Sequence, residues 1–337
     1  MNKIGIVEAR IGILDPLRFV AALLVMFYHY LPFIQKKIGT NNVNFFEYGY
    51  LGVNFFFLLS GFVIMASAQN RSAIKFALLR ALRLYPAFIV CLLITLFILH
   101  VLDFPLASTT AIFLNGLIIN DYFGVPNIDG VYWTLQAELK FYACIFLLIL
   151  FGQIHHYKLW LSAWLLMAVA HHFTKQPFFM GWFISPSYSF CFIGGISAYL
   201  IFNNPKSWYA ISIFITAMVF AIIKSCGQID GFVRAVELWD RVVVGVLTFL
   251  FFLFFFFLHN INRYFKYTKL MAVFGGMSYP LYLLHGKAGT SVLGFLSGVL
   301  GALESLFVTI ILVLATSFFV HYAIEKPLFR AVRHKVN

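Results

Sequence analysis

Ile13 to Ile34 reads ILDPLRFVAALLVMFYHYLPFI, a run long and apolar enough to cross a bilayer that nevertheless carries Arg18 near one end and His29 near the other. Eleven residues of helix separate the two, a rise of roughly 16 Å, so one element presents a cation and a titratable imidazole at two depths. An ionisable side chain in hydrocarbon costs at least about 2.5–3.5 kcal/mol on insertion scales, and the usual resolution is that it faces protein or a wet cavity. The remaining chain reads as the wall of such a cavity.

Of the 337 residues, 62% are hydrophobic, 11% are charged and 42 are Phe. A soluble domain keeps about a quarter of its residues charged, so this chain lacks the polar surface to face water on all sides. The apolar runs are much longer than about 10 residues and do not alternate in polarity, which excludes an outer-membrane barrel and predicts an all-α, polytopic helical bundle. We expect one integral domain over residues 1–337. The net charge of +12 is dispersed between apolar runs rather than gathered in a stripe, so it reads as positive-inside topology and not as a nucleic-acid surface. Cys91, Cys144, Cys191 and Cys226 have no metal-ligating spacing and read as small hydrophobes; no metal is expected. The first run is too long for a cleavable signal and reads as a retained span.

Apolar runs predict ten spans, at 13–34, 48–68, 84–102, 131–151, 159–173, 186–202, 208–224, 241–259, 271–294 and 303–322. The apolar piece 109–120 is short for a span and reads as re-entrant or interfacial. With the N-terminus inside, fifteen Lys and Arg fall on the cytoplasmic side, among them Lys3, Arg10, Arg71, Lys75, Arg80 and Arg83. Six fall outside: Lys36, Lys37, Lys175, Lys224, Arg234 and Arg241. That asymmetry predicts cytoplasmic termini, in agreement with an even number of spans. Asp129 belongs to the turn-rich outer connection 103–130, which reads as a cover over a cavity or as a plain linker.

On this topology His29, Glu138 in VYWTLQAELKFY and His285 in MSYPLYLLHG all fall in the outer half of the membrane. Buried carboxylate and imidazole groups at one depth can pair, fixing a tautomer and raising basicity, as a general base requires. Mutually satisfied structural polar groups are the plainer reading of each taken alone. Arg80 and Arg83 are three apart, so on a helix they share a face and form a fork suited to phosphate oxygens. Ordinary positive-inside charge or headgroup contact explains that spacing equally well. In GYLGVNFFFLLSGFVIM the small residues Gly49, Gly52, Ser60 and Gly61 suit close helix packing, while Asn54 needs partners for its amide. In EKPLFR, Glu325 and Pro327 mark the exit of the last span.

Arg18 with His29, GVNFFFLLSGF, the Arg80 and Arg83 pair followed by LYP, WTLQAELKFY, SYPLYLLH and EKPLFR occur in this order over nearly the whole chain. Together they resemble the integral-membrane acyltransferase-3 family, which acetylates bacterial surface polysaccharides. The resemblance implies a multi-pass protein of the bacterial inner membrane that moves an acetyl group from cytoplasmic acetyl-CoA to a hydroxyl of a surface or lipid-linked glycan such as O-antigen. It implies His29 as the catalytic histidine with Glu138 as the acidic residue of its motif. Arg18, Arg80 and Arg83 are then the acyl-CoA-binding residues. Asn54, Tyr279, Tyr282 and His285 are candidates for oxyanion or acceptor contacts. The chain ends without the esterase-like domain fused to some members, so the membrane domain is expected to complete the transfer. A transporter or lipid-linked glycan flippase is the alternative from another class, since it too lines a path with buried polar groups.

Overall fold

The computed structural model describes residues 11–39, 45–69, 71–174, 185–233 and 236–336, so Lys3, Arg10, Lys175 and Arg234 of the charge asymmetry lie outside the described residues. Among these residues the chain is helical, without a strand. In order come α1 (Leu14–Ile38), α2 (Gly52–Ala68), α3 (Ala73–Val101), α4 (Thr109–Gly116), α5 (Trp133–Leu150), α6 (Tyr157–Thr174) and α7 (Ser189–Asn203). They are followed by α8 (Trp208–Gln228), α9 (Leu238–Phe256), α10 (Leu258–Tyr264), α11 (Lys269–Leu284), α12 (Lys287–Leu296), α13 (Ala302–Phe319), a π-helical turn (Val320–Glu325) and α14 (Lys326–Val336).

Among the described residues seven helical stretches have the length and apolar composition to cross a membrane, and the fold is a helical membrane bundle. Polar side chains set several starts: Ser108, Ser207 and Thr268 accept the backbone N–H of Ala111, Ala210 and Met271, and Glu237 with Asp240 forms a reciprocal capping box. The piece 109–120 is no span, because α4 has eight residues and rises only about 12 Å. The expected continuous span 271–294 needs correction: the helix ends at Leu284, and α12 starts anew at Lys287. All four cysteines are free thiols.

The chain forms two compact units, each assembled from three separate segments. The first comprises residues 1–14, 50–77 and 140–267. Its core joins α2 to α7, where a β-carbon at Gly61 would overlap the Phe192 carbonyl and one at Gly195 the Leu58 carbonyl. Only glycine at both positions allows that backbone approach. The Asn54 amide donates to Ser225 Oγ at 2.9 Å, tying α2 to α8.

The second unit comprises residues 15–49, 78–139 and 268–337. Here α1 and α11 run side by side in one direction: Gly275 packs on Asp15, Phe19 stacks on Phe274 at 4.9 Å, and His29 lies beside His285. α3 runs the same way, with the Tyr279 hydroxyl donating to the Leu84 carbonyl at 3.1 Å and Phe88 edge-on to Tyr132. α13 runs oppositely and brings His321 onto Gly276. From Gly275 to His285 a helix climbs roughly 15 Å, so the polar groups of this unit divide between two ends.

Candidate active site: two polar ends of one unit

At the histidine end the His29 and His285 ring centroids are 5.3 Å apart, tilted by 40°. His285 is fully buried, whereas His29 keeps accessible surface, so His29 is the reachable member of the pair. His285 Nδ1 is 3.3 Å from the Leu281 carbonyl, which can only accept; that contact requires the proton on Nδ1 and leaves Nε2 as a bare acceptor. Nε2 is buried with no hydrogen-bond partner among the described residues. Tyr282 stands beside His285, and its hydroxyl lies 3.0 Å from Thr134 Oγ1 and 3.5 Å from the Val131 carbonyl. Glu138 is half-buried one turn, about 6 Å, along α5 from Thr134 and on the same face.

The connection 103–130 is built around amides rather than left loose. Asn115 donates to the carbonyls of Ala111 and Pro126 and accepts the Ile128 N–H. Asn120 donates to the Val125 carbonyl and Asn127 Oδ1 and accepts from Gln136 at 2.9 Å. These bonds return the chain to α5 and deliver Asp129, 1% exposed, to the break between α11 and α12. Its carboxylate accepts the N–H groups of Val131 at 3.2 Å and Lys287 at 2.6 Å. Burial pushes the Asp129 carboxyl up to about 6, opposed by those two hydrogen bonds and the Lys287 charge.

At the arginine end Glu325, 4% exposed, accepts from Arg83 Nη1 with one oxygen and from His321 Nδ1 at 2.9 Å with the other. The Arg83 guanidinium lies 5.8 Å over the Tyr279 ring. Arg18 Nη1 is 3.5 Å from the buried carboxylate of Asp15. Arg80 and Arg83 are both half-buried on the same face of α3.

Among the expected site residues, then, His29, His285 and Tyr282 meet at one end, while Arg83 and Tyr279 meet at the other with Arg18 and Arg80 on neighbouring turns of α1 and α3. Asn54 belongs to the first unit and is engaged there.

A family model described as an acyltransferase domain, acyltransferase-3, matches residues 11–326. The chain belongs to the acyltransferase-3 family. Relatives of this chain include Nodulation protein 10 of Rhizobium leguminosarum bv. viciae, 31% identical over 151 residues, covering 38% of this chain and 41% of that protein. Acyltransferase MdmB of Streptomyces mycarofaciens is 30% identical over 149 residues, covering 40% of this chain and 38% of that protein. The chain thus spans about two fifths of the curated relatives it matches. No solved structure matches it significantly.

Three acidic side chains of this acyltransferase-3 chain, Asp129, Glu325 and Asp15, had no site role in the sequence-based expectation. Asp129 stands directly before an apolar run, a helix-capping position whose signal was legible. His321 and Glu325 are spaced i, i+4 and so share a helix face. Asp15 sits in the first turn of α1, where a carboxylate is favoured.

Proposed function

We propose that this chain is a membrane O-acyltransferase of the bacterial inner membrane, moving an acetyl group from cytoplasmic acetyl-CoA to a hydroxyl of a surface or lipid-linked glycan such as O-antigen. The observation that carries this reading is the reachable His29 imidazole beside a fully buried second imidazole, on the helix that also bears Arg18 one donor-arm length away. Polyanionic coenzyme A binds by its nucleotide end at Arg18, Arg80 and Arg83, and its neutral pantetheine arm runs along the helices toward His29. His29 takes the proton of the acceptor hydroxyl as that oxygen attacks the thioester carbonyl. The C–S bond breaks, the imidazolium returns the proton to the departing thiolate, and an ester and free coenzyme A result.

His285 Nε2, lacking a donor of its own, is suited to accept the N–H of His29 and leave the other His29 nitrogen basic. Glu138, one turn along α5 from Thr134, is kept as the acidic residue of this site. Tyr279 and Tyr282 already spend their hydroxyls on protein oxygens, which suits them to shaping the site more than to meeting an oxyanion. The test is transfer from acetyl-CoA by purified protein, with O-acetyl analysis of surface glycan in a strain lacking the gene. We expect His29→Ala to abolish transfer with expression intact; wild-type turnover in that variant overturns the assignment.

A further inference from the structure

At the break between α11 and α12 the chain changes helix at His285–Gly286, and a buried carboxylate fills the corner. A β-carbon at Gly286 would overlap the Asp129 carboxylate, so the backbone presses directly onto it. Lys287 N, the first N–H of α12, donates to Asp129 Oδ2 at 2.6 Å, and Val131 N donates to Oδ1 at 3.2 Å. One side chain thereby satisfies an orphan donor of a new helix and complements the positive end of its dipole. Three residues into α12, Gly289 packs on the hydroxyl of Tyr30, which follows His29 on α1. The corner therefore fixes both the residue before it, His285, and the helix that packs beside His29.

We propose that Asp129 is a positioning residue for the imidazole pair: its carboxylate pins the α11–α12 break and so holds His285 against His29. This rests on the acyl-transfer reading for its effect on rate, and not for its effect on structure. Asparagine cannot replace it, because an amide offers one acceptor oxygen where two N–H donors converge, and its NH2 would face the other donor. Alanine at Gly286 disturbs the same corner by pressing a methyl group onto the carboxylate, with Asp129 itself unchanged.

The experiment compares wild type, Asp129→Asn and Gly286→Ala in detergent, each checked for monodisperse elution. Two quantities are read: kcat and donor KM with acetyl-CoA, and carbethoxylation of each histidine by diethyl pyrocarbonate, located by mass spectrometry. We expect kcat to fall at least about tenfold in both variants with donor KM little changed, the mark of a lost arrangement of reacting groups rather than of lost binding. We also expect His285, unreactive in the wild type, to become reactive. Unchanged kcat in both variants, or His285 remaining unreactive in both, overturns the proposal. If the wild type transfers nothing from acetyl-CoA, the acyl-transfer reading fails, and the carbethoxylation pattern alone still decides whether Asp129 holds His285.

Discussion

The second unit carries a nearly inaccessible carboxylate at each end, Asp129 among the histidines and Glu325 among the arginines, and the two are held in opposite ways. Asp129 accepts from backbone N–H groups at a helix break. Glu325 accepts from two side chains that bear or can bear positive charge. Burying a carboxylate is costly unless its oxygens are paired, so both must be doing something the fold needs. Backbone donors cannot leave, which makes Asp129 a fixed pin; side-chain donors can exchange Glu325 for another anion, which makes that end exchangeable. On the proposed reading, rigid placement suits the end where a proton would move over a short distance, and exchangeable charge suits the end where a polyanionic donor would come and go.

The strongest test of this division is His29→Ala, for which we expect kcat to drop about 10²- to 10⁴-fold with donor KM nearly unchanged. His321→Ala, an imidazole at the opposite end, should move donor KM and spare kcat. Equal losses of kcat in the two variants would break the division. Next in size is a pH effect on stability. The Asp129 carboxyl is raised from 3.8 to about 6 in the fold, about two units, equivalent to about 3 kcal/mol. A raised carboxyl favours the folded state fully below the unfolded value and loses that contribution as pH rises through about 6. Thermal midpoints of the wild type should therefore fall, from this group, between about pH 4 and 6 relative to those of Asp129→Asn. Parallel profiles would mean that the buried carboxylate does not hold its proton more tightly than an exposed one. Smaller again, replacing Arg80 and Arg83 by Ala should weaken donor binding about tenfold at low ionic strength and less at high, since salt screens the lost attraction. Donor affinity indifferent to both changes would remove the phosphate site from that end.

Much of this arrangement was legible from hydropathy and spacing, because lipid demands helices and the cost of intramembrane charge singles out Arg18, His29, Glu138 and His285. The break after Leu284 was not. Residues 281–296 are mostly apolar or small around His285 and Lys287, Gly286 reads as a tolerated glycine, and the group that caps the new helix comes from residue 129. Asp129 itself reads as one of several loop acids until the Asn115 and Asn120 amides are seen folding the connection back. Glu325 reads as a terminal residue because its partner Arg83 is 242 positions earlier. What escaped were long-range pairings, which local periodicity does not encode.

The smallest expected effect discriminates most sharply between pinning and exchange. Glu325→Gln keeps the shape and an acceptor oxygen for Arg83 or His321, and removes the negative charge. If Glu325 competes with incoming phosphate for the Arg83 guanidinium, its neutralisation frees that guanidinium, and a gain of about 1 kcal/mol, the scale of a half-exposed ion pair, tightens donor binding about fivefold. Arg83 is a third exposed, so the pairing lost from the fold is of similar modest size and the thermal midpoint should fall only slightly. A rise in donor KM would mean that Glu325 instead holds Arg83 in its binding pose. The carboxylates at the two ends would then do the same work, and the contrast between a fixed end and an exchangeable one would be lost.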